Sequence, residues 1–270
     1  MYRKKNIAGR AGIPCVLTIA GSDSGGGAGI QADLKTFAAI GVHGTSAITC
    51  ITAQNPLEVR AVQPIQPEIV RGQIAAVLEE LKPAVVKTGM LYSKAIIDVV
   101  HESVPLETSL IVDPMMISTS GALLLKKSAV GALRNLMRRA LLVTPNLQEA
   151  EYLLERKLGT LEELRVGARE IHEEYGCATL MKGGHLARMK VAVDFLFDGE
   201  SEWIFEADFV RGVSTHGTGC TYSAAIAAYL ALGNELPQAV RLGKEYITNA
   251  IAGSYRTSGH YVLNTEWNRP

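Results

Sequence analysis

Short apolar segments alternate with longer amphipathic ones along most of the chain. Seven of the short segments have the length and composition of strands. They are Val16–Ala20, Thr45–Thr52, Ala84–Thr88, Leu110–Asp113, Ala140–Thr144, Ala178–Lys182 and Val191–Phe197. Apolar residues recur at helical spacing in Glu68–Leu81 and Leu161–Tyr175. This alternation predicts a mostly parallel sheet that helices cover on both faces.

One turn predicts an antiparallel addition to that sheet. Asp198-Gly-Glu-Ser201 has hairpin composition and would join Val191–Phe197 to Trp203–Phe209. The 270 residues contain neither an internal repeat nor a Pro/Ser-rich linker, and this length suits one α/β domain. We therefore predict a single domain over residues 13–270, preceded by a flexible tail at 1–12.

Composition narrows the function classes. The formal net charge is zero and no Lys/Arg block stands out, which argues against a nucleic-acid surface. No segment approaches the ~20 apolar residues of a membrane helix. The four cysteines are far apart and form no C-x-x-C pair, which argues against a zinc site and a dense disulfide framework. Buried free thiols in a reducing, cytoplasmic compartment fit this pattern.

The segment Ser214-Thr-His-Gly-Thr-Gly-Cys220 leads directly into an apolar run of small residues at 221–232. That run predicts a buried helix, whose N-terminus offers unpaired N–H groups and partial positive charge to an anion. Gly217 and Gly219 would let the backbone turn sharply and approach such a ligand closely. A plain glycine turn before a core helix with a packed Cys220 would have the same residues.

A second glycine-rich segment favours the ligand-binding interpretation. Thr18–Thr36 places Gly-Ser-Asp-Ser-Gly-Gly-Gly-Ala-Gly between a predicted strand and the helix-like segment Ile30–Ile40. A flexible surface loop remains the alternative. No Gly-Lys-Ser/Thr follows and the glycines miss the G-x-G-x-x-G spacing, so neither a Walker A loop nor a dinucleotide loop is predicted.

Polar residues close several predicted strands. Asp113 and Lys182 end two of them, Asn146 follows a third with Glu149 one helical turn beyond, and Gln54 follows a fourth. Ligands of open α/β sheets bind beyond the carboxyl ends of the strands. Asp-Pro and Pro-Asn are also common turn formers. Together, however, carboxylates and a lysine between two glycine turns can hold Mg²⁺ and a polyphosphate.

These residues make the chain recognisable. It resembles the hydroxymethylpyrimidine and phosphomethylpyrimidine kinases of thiamine biosynthesis, in the ribokinase-like superfamily. The motifs are Thr18–Lys35, Thr52–Asn55, Lys87–Leu91, Val112–Pro114, Thr144–Ala150, Lys182–His185 and Gly217–Cys220. They span about Pro14 to about Gly259 and are far more specific together than a single glycine loop.

The resemblance implies a three-layer α/β/α fold with a mostly parallel central sheet and a small antiparallel addition. It implies a kinase that uses ATP and Mg²⁺ to phosphorylate 4-amino-5-hydroxymethyl-2-methylpyrimidine to its monophosphate and then to the diphosphate. It also implies a homodimer, and the charge and hydropathy described above predict that the protein binds neither nucleic acid nor membrane.

The resemblance also assigns roles to individual residues. The aminopyrimidine would be held by Gly21, Asp33, Gln54 and Met90. The glycine turn at Gly217, Thr218, Gly219 and Cys220 would receive the transferring phosphoryl group, and Lys182 would lie along the ATP phosphates. Asn146, Asp194 and Lys244 would border the nucleotide. Glu149 and Asp113 would organise Mg²⁺.

Cys220 departs from the wider superfamily, in which an aspartate at this place serves as general base. We expect Cys220 to accept or relay the hydroxyl proton in the first phosphorylation. A helix N-terminus would lower the pKa of the thiol and nearby phosphates would raise it, so the sequence leaves the net direction open.

Three alternatives stay open. A pyridoxal/pyridoxine kinase of the same superfamily also acts on a hydroxymethyl-bearing aromatic heterocycle. A non-catalytic sensor would bind the pyrimidine and regulate a partner. A sugar kinase is disfavoured by Cys220.

A loop at Met115–Gly121 has a composition that would allow closure over the site, and a static turn would suit it equally.

Overall fold

A computed structural model describes residues 12–116, 125–184, 186, 190–213 and 216–267. The strands are β1 (Cys15–Asp23), β2 (His43–Gln54), β3 (Val59–Pro64), β4 (Val85–Thr88), β5 (Ser109–Val112), β6 (Leu142–Val143), β7 (Ala178–Lys182), β8 (Val191–Phe197), β9 (Glu202–Asp208), β10 (Tyr255–Thr257) and β11 (His260–Val262). The helices are α1 (Gly29–Ile40), α2 (Pro67–Leu81), α3 (Lys94–Ser103), α4 (Val130–Met137), α5 (Leu147–Leu154), α6 (Leu161–Tyr175), α7 (Thr218–Ala231) and α8 (Leu236–Ala252).

Nine of the described strands form one sheet in the order β3-β2-β1-β4-β5-β6-β7-β8-β9. Pairing is parallel from β2 through β7, whereas β3, β8 and β9 are antiparallel to their neighbours. Strands β10 and β11 form a separate antiparallel pair. The parallel centre brings the carboxyl ends of β1, β2, β4, β5, β6 and β7 to one edge of the sheet, which is where ligands bind in open α/β folds.

Helices cover both faces of the sheet. One apolar core lies between the sheet and α2 through α6, and the other lies between the sheet and α1, α7 and α8. Central strands are apolar on both faces because both faces are covered. In β4, for example, Val85 and Val86 are buried in different cores. The expected three-layer α/β/α fold with a mostly parallel sheet is confirmed.

All seven predicted strands are present: Ala178–Lys182 and Val191–Phe197 have the predicted ends, and the other five have shifted ends. Ala140–Thr144 is reduced to Leu142–Val143, and the predicted Trp203–Phe209 is Glu202–Asp208. Strand β3, at Val59–Pro64, was not predicted, because three of its side chains are exposed and it lacks a continuous apolar pattern. The predicted N-terminal tail, apart from Gly12, lies outside the described residues.

Helix α7 is apolar on every side and is buried over most of its length. Its residues are small, so it packs closely against α8: a Cβ on Gly243 would lie 2.8 Å from Cγ1 of Ile226. The N-terminus of α7 therefore stands on a rigid, buried support. Within the described residues, no helix combines the length and the apolar character needed to cross a bilayer.

Candidate active site

A cavity of about 710 Å³ opens at the carboxyl edge of the parallel strands. One half lies over β1, β2 and β4, and its lining includes Gly21, Thr52, Gln54, Lys87 and Met90. The other half lies toward β7, β8, β9 and α8, and its lining includes Asn146, Lys182, Asp194, Phe209, Tyr222, Lys244 and Ile247. The turn at Gly217–Cys220, which begins α7, also lines this cavity. Two ligands could therefore meet at the N-terminus of a buried helix.

Of the residues predicted for the site, eleven line this cavity. These are Gly21, Gln54, Met90, Asn146, Lys182, Asp194, Gly217, Thr218, Gly219, Cys220 and Lys244. Asp33, Asp113 and Glu149 lie outside the lining that the described residues form, and each is fully buried. His185 of the Lys182–His185 motif and residues 117–121 of the predicted loop lie outside the described residues.

The glycine turn can be made only with glycine at position 217. Gly217 precedes the first turn of α7 with a φ of +81°, in the left-handed region. A Cβ there would lie 1.8 Å from the carbonyl oxygen of Gly27, so the two glycine-rich segments touch backbone to backbone. A Cβ on Gly219 would lie 3.4 Å from Nζ of Lys182. The turn thus presents helix N-terminal N–H groups beside a lysine, which is a strong arrangement for an anion.

Asp23 organises the first glycine-rich segment, and the sequence analysis did not select it. Its carboxylate accepts hydrogen bonds from the N–H groups of Gly25, Gly27 and Ala28 at 2.8–3.1 Å, and lies 3.2 Å from Nε2 of His216. Burial alone would raise the pKa of Asp23, but the hydrogen bonds from His216, Ala28 and Gly25 hold it below its ordinary value. Asp-Ser-Gly is a typical side-chain-to-backbone turn sequence. No local sequence pattern predicts the contact of Asp23 with His216, because the two residues are 193 positions apart.

The half of the cavity over β1, β2 and β4, called the acceptor half below, holds a small set of polar and sulfur-bearing groups. Oε1 of Gln54 accepts from the Thr52 hydroxyl at 3.2 Å, and Nε2 of Gln54 lies 3.5 Å from Nε2 of His216. Met90 packs against Cys50. A Cβ on Gly21 would lie 2.7 Å from Sγ of Cys50, so glycine keeps this wall close to the cavity. An amide and a thioether can together grip a flat heterocycle by its edge and its face.

Asp33 lies behind this half of the cavity. Both of its carboxylate oxygens accept from Nζ of Lys87 at 2.8 Å, and Oδ2 also accepts from the Thr18 hydroxyl at 2.6 Å. Lys87 itself lines the cavity, although it too is fully buried. The sequence analysis placed Lys87 in a motif and gave it no role. In the structure Lys87, and not Asp33, lines the acceptor half.

Cys220 lies in the first turn of α7 and packs against Ala28 and Ala32. Burial raises the pKa of its thiol to about 11, although the positive charge of Lys87 acts in the opposite direction. The sequence left open whether the pKa of the Cys220 thiol is raised or lowered, and in the structure it is raised. All four cysteines are free and buried, and Cys220 alone among them lines the cavity formed by the described residues.

Lys182 joins the cavity to a buried polar cluster. Its Nζ donates to Oδ1 of Asp113 at 3.0 Å. Asp113 also accepts from the hydroxyls of Thr144 at 3.1 Å and Ser223 at 3.0 Å. Ser223 belongs to α7, so this carboxylate fixes the position of the lysine relative to the glycine turn.

Asn146 and Glu149 form the cap of α5. The Asn146 side chain accepts from the Glu149 N–H at 3.0 Å, and the Glu149 carboxylate accepts from the Asn146 N–H at 2.9 Å. Glu149 also accepts from the N–H of Met116. Burial raises the pKa of Glu149 to about 7, against the lowering effect of Lys182. Among the described residues, no cluster of three or more His, Cys, Asp and Glu side chains suited to a metal ion was found.

The raised pKa of Glu149 predicts a pH-dependent cost to stability. The native state binds the carboxyl proton more tightly than the unfolded chain does, so stability falls as pH rises from about 4.5 to about 7. Glu149→Gln keeps the shape and removes this titration. Between pH 5.5 and pH 8, we expect the unfolding free energy of Glu149→Gln to gain roughly 2 kcal/mol relative to the unmodified chain. Urea titrations at both pH values measure it; a pH-independent difference would contradict it.

Asp194 and Lys244 form a further ion pair at the far end of the cavity. Nζ of Lys244 donates to Oδ2 of Asp194 at 2.7 Å, and the N–H of Gly183 donates to Oδ1 at 3.1 Å. Gly183 follows Lys182, so this pair holds the end of β7 in place. Apolar residues of β9 and α8, including Ala207 and Ile251, line the cavity beside it and could cover a planar ring.

The layered fold, the cavity at the strand ends and the glycine turn at α7 are those of a ribokinase-like kinase, a class whose members take the phosphoryl group from ATP. Residues 23–264 match the sequence model of the phosphomethylpyrimidine kinase family, and the chain belongs to that family.

Individual proteins are similar to this chain in sequence and in fold. A hydroxymethylpyrimidine/phosphomethylpyrimidine kinase of Synechococcus elongatus is 45% identical over 244 residues, covering 90% of this chain and 93% of that protein. The crystal structure of a phosphomethylpyrimidine kinase from Clostridium difficile 630 superposes with a TM-score of 0.77 at 44% identity, covering 88% of this chain and 99% of that one. An ADP complex of Bacillus subtilis pyridoxal kinase gives a TM-score of 0.86 at 34% identity, covering 96% and 99%.

Proposed function

We propose that this protein transfers the γ-phosphoryl group of ATP to the hydroxymethyl group of 4-amino-5-hydroxymethyl-2-methylpyrimidine, and then a second phosphoryl group to the monophosphate. Membership of the family supports the reaction class. The observation that carries the proposal is that one continuous cavity has two halves, which meet at the Gly217–Cys220 turn. They are the acceptor half and the half toward β7, β8, β9 and α8, called the phosphate half below. An in-line transfer needs this arrangement, because donor and acceptor must lie on either side of the group that moves.

The acceptor half would bind the aminopyrimidine. The Gln54 amide can both donate to a ring nitrogen and accept from the exocyclic amine. Met90 would lie against the ring, and Gly21 leaves room for its edge. Asp33, which the sequence suggested as a direct contact, would act through Lys87, since Lys87 lines the cavity and Asp33 does not. Analogues that leave the Gln54 amide unpaired would bind poorly.

The phosphate half would hold and stabilise the transferring group. The substrate oxygen attacks the γ-phosphorus, the bond to the ADP oxygen breaks, and the hydroxyl proton passes to the thiolate form of Cys220. Backbone N–H groups of the turn at Gly217–Cys220 would bind the equatorial oxygens, and Lys182 would follow the charge. Asn146, Thr218, Asp194 and Lys244 would border the nucleotide. In the second phosphorylation the attacking atom is already a phosphate oxygen, so it has little need of a base.

Mg²⁺ fits the donor set near Lys182. Carboxylate oxygens are its preferred ligands, and the raised pKa of Glu149 indicates that Lys182 and two N–H donors offset the burial of this carboxylate only in part, so a nearby cation would stabilise its charged form. Glu149 and Asp113 would hold the hydrated ion. When bound, Mg²⁺ neutralises charge on the polyphosphate.

A product assay tests the proposal. Purified protein with Mg-ATP is given the aminopyrimidine or pyridoxal, and mono- and diphosphate are followed by chromatography. Diphosphate from the pyrimidine, with pyridoxal much slower, is the expected result. The likeness to the Bacillus subtilis pyridoxal kinase makes pyridoxal the second candidate, and faster pyridoxal turnover ending at the monophosphate would replace the proposal. Tight pyrimidine binding without turnover would instead indicate a sensor.

Cys220→Ala should separate the two steps. Without the thiol the first phosphorylation loses its proton acceptor, and we expect its kcat to fall by about 100-fold. The second step should fall by less than about 10-fold. Cys177→Ala is the control, since that cysteine is equally buried but does not line the cavity. Single-turnover assays of each step measure the ratio, and equal losses would exclude Cys220 as the proton acceptor.

We further propose that the enzyme is a cytoplasmic homodimer. Four unpaired thiols suit a reducing compartment. Strand β3 is an edge strand, and Ile51 and Leu57 beside it are exposed, which suits burial against a second copy. Light scattering after size-exclusion chromatography gives the mass directly, and a monomer at micromolar concentration would contradict the dimer.

A further inference from the structure

Lys87 is a fully buried lysine that lines the acceptor half, and the reaction described above gives it no part in the proton transfer. It lies near the end of β4, and its ammonium is held by both oxygens of Asp33, on α1, at 2.8 Å. Thr18 donates to the same carboxylate, so the pair is fixed in one geometry. A buried ion pair stabilises a fold no better than apolar residues of similar size. Its position beside the cavity therefore points to a chemical use.

The charge of this pair lies close to Cys220. Lys87 and Cys220 line the same cavity, and Cys220 packs against Ala32, the residue next to Asp33 in α1. The two side chains interact electrostatically: the Lys87 ammonium lowers the pKa of the thiol, and the Cys220 thiolate raises that of the lysine. Asp33 acts on the thiol in the opposite direction and more weakly than Lys87.

Other charged groups near the thiol are few. Asp113, just after β5, raises the pKa of Cys220, and the N–H of Gly29 lowers it by donating a hydrogen bond. Lys182, at the end of β7, also interacts with the thiolate. Desolvation is the largest influence and disfavours the thiolate. Among these groups, Lys87 is the cation with the strongest lowering effect on the thiol.

We infer that Lys87 is a positioning residue that controls the ionisation of Cys220: its ammonium, oriented by Asp33 at the floor of the cavity, stabilises the thiolate that takes the proton of the substrate hydroxyl. The proton step rests on the proposed function. The proton moves from oxygen to sulfur while the new oxygen–phosphorus bond forms and ADP leaves. Lys87 keeps its own proton throughout.

Alkylation of Cys220 by iodoacetamide tests this link without any substrate. The rate is measured against pH on the full chain, and the modified cysteine is identified by peptide mass spectrometry. Below its pKa a thiol reacts in proportion to its thiolate fraction, so one pKa unit is a tenfold change in rate. Lys87→Met should slow alkylation of Cys220 by about 10-fold at pH 8.5. Asp33→Asn should accelerate it by about 3-fold, because Asp113 still supports the lysine charge.

Changes of opposite sign in the alkylation rate of the two variants distinguish electrostatic control from structural damage. A loosened core would expose Cys220 and Cys177 together and accelerate the alkylation of both. Unchanged rates, or shifts of the same sign, would overturn the inference. If Lys87→Met fails to fold, the double variant Lys87→Met/Asp33→Asn leaves no uncompensated charge and is compared with Asp33→Asn alone. Slower alkylation in the double variant is expected, and equal rates would overturn the inference.

The alkylation result and the product assay fail independently. Shifts of opposite sign in a protein that does not phosphorylate the pyrimidine would support the thiol–lysine link while removing the reaction proposed for it. If the protein phosphorylates the pyrimidine but neither substitution changes the alkylation rate of Cys220, only the inferred effect of Lys87 on Cys220 is overturned. In the active enzyme, the same variants should move the acidic limb of the pH profile of the first phosphorylation and leave the second step unmoved.

Discussion

Gly217→Ala is expected to reduce kcat for both phosphorylations by at least ~1000-fold. The new Cβ would lie 1.8 Å from the carbonyl oxygen of Gly27, a backbone atom that cannot rotate away. The two glycine-rich segments would have to separate, and the N–H groups that bind the transferring phosphoryl group would lose their alignment. Removing a single preorganised donor from such a site costs about 100- to 1000-fold, and several move together here. Rapid-quench measurement of each step gives the loss.

Gly233→Ala is the matched control for backbone strain. Gly233 also has a positive φ, of +88°, but no described atom lies within 4 Å of the position its Cβ would take. This variant should lose about 1 kcal/mol of stability and keep its activity, because only the backbone conformation is penalised. If Gly217→Ala behaved like Gly233→Ala, the close contact between the two segments would not be needed for catalysis.

Lys182→Met should lower kcat by about 100- to 1000-fold in both phosphorylations and change the KM of the pyrimidine little. The ammonium lies beside Gly219, and its bond to Asp113 directs it toward the turn. It is expected to stabilise charge that develops during transfer, an effect that appears in kcat rather than in binding of the acceptor. The variant should also be less stable, since Asp113 loses its counter-charge.

Lys244→Met controls for the loss of a buried charge. Lys244 is paired with Asp194 at 2.7 Å and is as buried as Lys182, so its removal should destabilise the fold to a similar extent. It lies at the nucleotide end, and we expect it to raise the KM of ATP while kcat at saturating ATP falls by less than about 10-fold. Equal losses of kcat in the two variants would show that Lys182 acts only through stability.

The layers of the fold could be predicted because each depends on a local pattern. Ala178–Lys182 is a continuous apolar strand closed by a lysine, and the sequence placed both of its ends correctly. Leu161–Tyr175 begins at a Thr160/Glu163 capping box and ends at Gly176, so its bounds are also local. Strand β3 is different: it is an exposed edge strand, whose pairing with β2 comes from position rather than from apolar residues.

The site could be predicted only in part. Gln54 and Lys182 end strands and Gly217 precedes a helix, and the topology alone brings such residues to one edge. The burial of Asp33 depends on Lys87, which is 54 residues away, and the anchoring of Asp23 depends on His216, which is 193 residues away. Neither pairing leaves a periodic signal. A carboxylate at helical spacing looks alike whether it faces a ligand or a lysine.

Helices α7 and α8 follow every strand of the nine-stranded sheet in chain order, which has a consequence for synthesis on the ribosome. Strands β1 and β4 emerge early, but the helices that cover one face of the sheet beside α1 come after residue 217. Until then one apolar face of the sheet in the nascent chain is uncovered. Its first glycine-rich segment also lacks the backbone contact with Gly217. The nascent protein should therefore depend on holding chaperones until α7 and α8 have left the exit tunnel. Catalytic competence and a finished core would be reached together.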